Sequence, residues 1–258
     1  MNAPASTADQ AQPSMAALFV SDLHLSPGMP KTADAFFRFL DKRAGQSRFV
    51  YLLGDIFEYW AGDDDITDPF NRLVVTALHA LAATGVQLFW IAGNRDFLAG
   101  SAFAAATGVT LLPDPSVIEI AGQRMLLLHG DEQCTDDHAY MAFRTQVRDT
   151  AWQRAFLERP LAERKKIIEG MRAGSREAQR DKAMAIMDVN PQAIERLFVE
   201  HQVNLMIHGH THRPAVHRSD LGTRHVLPDW DCDHSDGRGG WLSIDTSGDI
   251  QSHSLREL

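Results

Sequence analysis

Five short polar motifs, each at the end of an apolar run or one residue past it, constrain this 258-residue chain more than any other feature. They are Asp22-Leu23-His24, Gly54-Asp55-Ile56-Phe57-Glu58, Gly93-Asn94-Arg95-Asp96, His129-Gly130-Asp131 and Gly209-His210-Thr211-His212. The runs before them are Leu18–Val20, Phe49–Leu53, Gln87–Ile91, Met125–Leu128 and Asn204–Ile207, short and apolar as buried strands are. Strand ends in an α/β sheet open onto one edge, which brings residues far apart in sequence together. The residues so gathered carry carboxylates, an amide and imidazoles, all donors to divalent metal ions. Asp-x-His and His-x-His put two such donors on one side of an extended chain, because side chains alternate with period two. The glycine before Asp55 allows a sharp turn at the strand end.

The segments between the motifs read as helices and turns. Lys31–Arg43 has Phe36, Phe39 and Leu40 on one helical face, and Phe70–Ala83 has Leu73, Val74, Ala77, Leu78 and Leu81. Leu98–Ala106 is a shorter helical stretch, so the first half predicts βαβ units and a largely parallel sheet. Val117–Ile120 and Gln123–Leu128 flank Ala121-Gly122, a hairpin signal. From Asp136 to Asp188 the strand signal stops, and helices are predicted over Ala139–Thr150, Trp152–Leu157, Leu161–Met171 and Ser175–Met187. Asn190-Pro191 then reads as an N-cap with proline at the first helical position. Arg224–Leu227, Trp241–Ile244 and Ile250–Ser254 read as strands. The expected organisation is a disordered tail (1–15), a core formed by 16–135 and 189–258, and a helical cap inserted at 136–188.

Charge narrows the partners. The chain carries a net −9, which disfavours nonspecific nucleic-acid binding, and no long basic track is present. Residues 144–182, however, hold eleven Lys and Arg against six Asp and Glu, and such a basic segment in an acidic protein suggests a local anionic partner. Two cysteines give no disulfide framework. Residues 1–15 lack the basic and apolar regions of a secretion signal, so a cytoplasmic protein is expected. No obligate protein partner is implied.

Taken in order, the five motifs resemble the calcineurin-like metallophosphoesterase superfamily, over about residues 17–245. The resemblance implies a four-layer αββα sandwich with a dinuclear centre. By it, one metal ion takes Asp22, His24, Asp55 and His212, and the other takes Asp55, Asn94, His129 and His210, with Asp55 bridging. Two carboxylates against two dications leave a net positive site suited to phosphate or diphosphate. Such mixed donors fit Mn²⁺ best, while Fe²⁺, Co²⁺ or Zn²⁺ could occupy the same set.

A narrower resemblance rests on Gly54–Trp60, His129-Gly130-Asp131 with Cys134–Asp137, Met171-Arg172 through Ser175, Ala185–Asn190 and His208–Pro214. These stretches look like the UDP-2,3-diacylglucosamine diphosphatases of lipid A biosynthesis. That family places its substrate lid where the cap falls here. The implied reaction is attack of metal-activated water on the α-phosphorus, releasing UMP and 2,3-diacylglucosamine 1-phosphate. Substrate contacts are implied for Asn94, Arg95, Asp137, Ser175, Gln179, Lys182 and His210, with Asn94, Arg95 and His210 in catalytic roles. Arg95 could place its donor fork on phosphate oxygens or pair instead with Asp96. In the cap, Trp152, Phe156 and Leu157 can share one helical face and Ile167, Ile168 and Met171 another, with Arg164, Lys165 and Lys166 beside them. Such a surface suits a lipid-linked UDP-sugar and peripheral contact with the cytoplasmic face of an inner membrane, as well as packing on the core. The alternatives are a dinuclear phosphoesterase for a soluble nucleotide or phosphoester, and a non-catalytic scaffold. The scaffold reading expects lost ligands, and all seven are present.

Overall fold

The computed structural model describes residues 15–180, 188–234 and 237–258. Strands β1 (Met15–Val20), β2 (Ser47–Leu53), β3 (Gln87–Ile91) and β4 (Val109–Leu112) run parallel. Later in the chain, β10 (Gly240–Asp245) and β11 (Ile250–Ser254) add antiparallel beside β1, giving one six-stranded sheet in the order β11-β10-β1-β2-β3-β4. A second sheet of five strands uses β5 (Ser116–Ile120), β6 (Gln123–Leu127), β7 (Leu205–His208), β8 (Ala215–Ser219) and β9 (Gly222–Val226), in the order β5-β6-β7-β9-β8. Here β6, β7 and β9 are parallel, and β5 and β8 are antiparallel edges.

Period-two alternation explains how the sheets stack. Along β1 and β2, Ala17, Phe19, Tyr51 and Leu53 face the second sheet and meet Met125, Leu127, Leu205 and Ile207. Their neighbours Leu18, Val20, Val50 and Leu52 face outward beneath helices. Those helices are α1 (Pro30–Lys42), α2 (Pro69–Ala83) and α3 (Ser101–Thr107), which bury Phe36, Phe39, Val74, Leu78 and Phe103 in the same cluster. On the far side, α7 (Pro191–His201) packs Ile194 and Phe198 onto Leu126, Leu128 and Met206 of the second sheet. The result is the αββα sandwich, with mixed rather than purely parallel sheets because each sheet closes on antiparallel edge strands.

Residues 138–180 form α4 (His138–Arg148), α5 (Thr150–Leu157) and α6 (Leu161–Arg180). Three of the later helices are capped at their N-termini: Asp137, Asp149 and Asn190 accept from the amides of Tyr140, Trp152 and Ala193. The two helices expected over Leu161–Met171 and Ser175–Met187 are one helix as far as Arg180, and 181–187 lie outside the described residues. An interior glycine costs a helix about 0.5–1 kcal/mol relative to alanine. Gly174 nonetheless continues the helix, with open space where a Cβ would stand.

Two edge strands, β4 and β8, were not anticipated. Every residue of β8 is exposed, so it has no apolar face and forms by antiparallel pairing with β9. The basic segment also finds much of its anionic partner within the chain. Arg164 is not a surface residue but fully buried, donating to the carbonyls of Ala61 and Arg159 and pairing with Asp64. Lys165 Nζ lies 2.6 Å from Asp65 Oδ1 and 3.1 Å from Asp68 Oδ2.

Candidate dinuclear metal centre

The proposed ligands lie just past the strand ends, in turns rather than in extended chain. Asp22, His24, Asp55, His210 and His212 have φ between 48° and 66°. Among the described residues, only Ala121 and Gln202 are further non-glycine residues with positive φ. A left-handed backbone costs a non-glycine residue on the order of 1–3 kcal/mol, and such strain persists only where the surroundings impose it. Strand alternation therefore does not bring the two histidines of Gly-His-Thr-His to one side. His212 joins Asp22 and His24, whereas His210 joins Asp55 and His129. Within each trio, one donor atom per residue lies within 4.8 Å of the others.

Backbone bonds lash the turns together. The amides of Asp22 and His24 donate to the carbonyls of Gly54 and Asp55, each at 3.0 Å, and Trp230 N donates to Asp22 O at 2.9 Å. Asp96, which the motif contains but sequence reasoning gave no such role, is fully buried and joins two motifs. Its carboxylate accepts from Ile56 N and Gly93 N, both at 2.8 Å. Asp96 is therefore not the partner of Arg95, whose Nε lies 4.0 Å from Asp55 Oδ2 and whose amide donates to Asp55 Oδ1 at 2.8 Å.

The imidazoles are aimed in the same way. His129 Nδ1 donates to Leu53 O at 2.9 Å, which turns Nε2 toward Asn94 Oδ1 at 3.1 Å and Asp55 Oδ1 at 3.6 Å. Burial opposes charge on His129, yet attraction to Asp55, Asp22 and Asp131 prevails and lifts its pKa to about 9. Burial, then repulsion from His129, pushes His210 down to about 4. The rings of His129 and His210 meet at 5.0 Å, and Tyr140 stacks on His210 at 6.1 Å. Tyr140 Oη donates to the buried Asp131 carboxylate at 2.6 Å, which also takes Arg144 Nε at 2.9 Å. Nothing in the local sequence marks Tyr140 or Asp131 for these positions.

The donor set fits two divalent cations. Buried Asp22 Oδ1 has no hydrogen-bond partner, an expensive state that a cation would relieve. His24 Nε2 and His212 Nε2 face each other at 3.3 Å, and a shared cation satisfies both lone pairs. Two glycines make room behind the carboxylates. A methyl at Gly209 would run into the side chains of Asp22 and Ser21, and one at Gly93 would meet Asp55. Gly209→Ala should therefore displace Asp22. The expected outcome is loss of about one bound ion per chain by elemental analysis, with kcat at least about tenfold down. Wild-type metal content in this variant would contradict the placement.

The remaining predicted contacts divide. Asp137 is buried and caps α4 while bordering the same cleft. Ser175 and Gln179 lie on α6, but their side chains are not among those described, and Lys182 lies outside the described residues. The cleft has a volume of 1040 Å³. Its floor is His24, Asp55, Asn94, Arg95, His210 and His212, and its apolar wall includes Phe143 of α4, Trp152 and Phe156 of α5 and Ile168 of α6.

Residues 15–214 match the family model of the calcineurin-like phosphoesterases, and the chain belongs to that family. Among curated proteins it is 53% identical over 220 residues to a UDP-2,3-diacylglucosamine hydrolase of Aromatoleum aromaticum, covering 84% of this chain and 89% of that one. It is 49% identical over 235 residues to the protein of the same name from Ralstonia nicotianae, covering 88% of each. The one from Escherichia coli O157:H7 is 49% identical over 203 residues, covering 79% of this chain and 84% of the other. A dimetal phosphatase from Danio rerio shares the fold at a TM-score of 0.50 and 14% identity, over 94% of this chain and 97% of that chain.

Proposed function

We propose that this chain hydrolyses the diphosphate of UDP-2,3-diacylglucosamine to UMP and 2,3-diacylglucosamine 1-phosphate, a step of lipid A biosynthesis. About half identity over most of the chain to enzymes of that name supports the reading. The observation that carries it is the cleft, where a floor built for cations adjoins a wall of aromatic and aliphatic side chains. A diphosphate with acyl chains on one side matches both surfaces.

On this reading Asp22, His24, Asp55 and His212 would hold one ion, and Asp55, Asn94, His129 and His210 would hold the other, Asp55 being common to both. Mixed carboxylate, amide and imidazole donors suit Mn²⁺. When bound, the ions neutralise phosphate charge and lower the pKa of water to near neutrality. The rest falls to the chain's own residues. Arg95, anchored through its amide to Asp55, sets its guanidinium over the floor to hold the equatorial phosphate oxygens. Asn94 and His210 position the reacting diphosphate. Asp137, Ser175, Gln179 and Lys182 bind the glucosamine head group.

The apolar wall takes the acyl chains. Trp152 and Phe156 stack at 4.9 Å with ring planes 10° from parallel. Phe143, Leu157 and Met171 are exposed on the same three helices, as Lys166 is. Such a surface fits reversible contact with the cytoplasmic face of the inner membrane, where this substrate resides. Among the described residues no helix is long and apolar enough to cross a membrane. Trp152→Ala should raise KM for the diacylated substrate several-fold and leave hydrolysis of bis(p-nitrophenyl) phosphate near wild type. Lys182→Ala should behave alike. Equal losses on both substrates would count against a lipid-binding cap.

A further inference from the structure

Glu58 closes the second motif but belongs to neither donor trio, and its carboxylate is where two separate elements meet. Oε2 lies 3.1 Å from His24 Nδ1, and Oε1 pairs with the guanidinium of Arg172 on α6. The backbone holds Glu58 there, since its amide donates to Leu25 O at 3.1 Å, one residue past His24. Arg172 also lies over the ring of Tyr59, 5.7 Å from its centroid. The His24 ring thus has a carboxylate at Nδ1 and His212 Nε2 facing its Nε2 at 3.3 Å. The contact is not an aligned hydrogen bond, but the negative charge beside Nδ1 favours the tautomer with its proton there and leaves the Nε2 lone pair to a cation.

The attachment of α4 is different in kind. It rests on Asp131, which is fully buried and bound by Tyr140 and Arg144. The α6 contact is partly open to solvent, with side-chain exposures of 24% for Glu58 and 19% for Arg172. A pair of that kind is weaker and can exchange with water. The α4 end is therefore fixed. The first turns of α6 are likewise held, by buried Arg164 on Ala61 and Asp64 and by Lys165 on Asp65 and Asp68, so the part whose seating can vary is the stretch around Arg172.

We infer that Glu58 is a positioning residue that couples the seating of α6 around Arg172 to cation binding at Asp22, His24 and His212. With Arg172 seated, Glu58 is held against His24 and fixes the ring for its ion. With that stretch lifted, Glu58 loses that restraint and the ion loses an oriented ligand. Linkage makes the effect reciprocal, so the ion also favours the seated helix. The inference rests on reading that trio as metal ligands and does not depend on which phosphoester is cleaved.

The test needs no substrate. Mn²⁺ is titrated calorimetrically into the metal-stripped full chain, and amide hydrogen exchange is followed over 161–180 with and without the ion. The wild type should bind two ions, and loading should slow exchange in α6. Glu58→Gln, which keeps the side chain's shape, should weaken one of the two sites roughly 10- to 100-fold. It should also abolish the metal-dependent slowing in α6. Arg172→Met should lose the slowing, and its effect on that site should not add to that of Glu58→Gln. Two ions bound to Glu58→Gln with wild-type affinity would overturn the coupling, as would α6 exchange indifferent to metal in the wild type. A wild type that binds no Mn²⁺ would overturn the ligand reading as well.

Discussion

Asp55→Ala is expected to lose most of both bound ions and, with them, at least about 10³-fold in kcat. The carboxylate is buried and sits at the meeting point of the floor. Its Oδ1 takes the Arg95 amide at 2.8 Å and lies 3.6 Å from His129 Nε2, while Oδ2 is 4.0 Å from Arg95 Nε. On the proposed ligand sets, removing it takes the one donor common to both ions at once. Elemental analysis of the purified variant gives the metal count directly. Asp22→Ala makes the contrast, because it should empty one set and spare much of the other. A variant at Asp55 that retains two ions would show that the two proposed ligand sets do not share this residue.

Arg95→Ala should behave in the opposite way, with metal content near normal and kcat lower by about 10²–10³-fold. Its backbone amide, which alanine keeps, is what supports Asp55. Its side chain is what reaches over the floor. A guanidinium can meet two phosphate oxygens at once, and Arg95→Lys should recover only part of the loss, because an ammonium lacks the planar fork. Wild-type turnover in Arg95→Ala would mean that the side chain does not touch the reacting phosphate. A pairing with Asp96 cannot rescue the alternative, since both Asp96 oxygens are taken by backbone amides.

The legible parts of this molecule were those with a strong local signal. Apolar runs ending in Asp, Asn or His mark where β1, β2, β3, β6 and β7 stop, and the glycines beside them mark close approaches. Ala121-Gly122 predicted its hairpin, and both residues have positive φ as such turns require. Asn190 predicted its cap. What escaped depends on neighbours distant in sequence. The exposed strand β8 exists only because β9 pairs with it. Arg164 looks like a surface base until Asp64 and the Ala61 carbonyl are placed around it. The left-handed turns at Asp22, His24, Asp55, His210 and His212 carry no composition signal, since none of these residues is glycine. Asp96, Asp131 and Tyr140 sit within or near the motifs, yet their roles follow from which loops the fold brings against them.

The central claim is a reaction, and isotope transfer tests it most directly. Metal-loaded protein is incubated with UDP-2,3-diacylglucosamine in H₂¹⁸O, and the products are separated and weighed by mass spectrometry. Attack of water on the α-phosphorus predicts UMP carrying one ¹⁸O and unlabelled 2,3-diacylglucosamine 1-phosphate. Intact substrate, products other than these two, or ¹⁸O in the sugar phosphate would contradict the account.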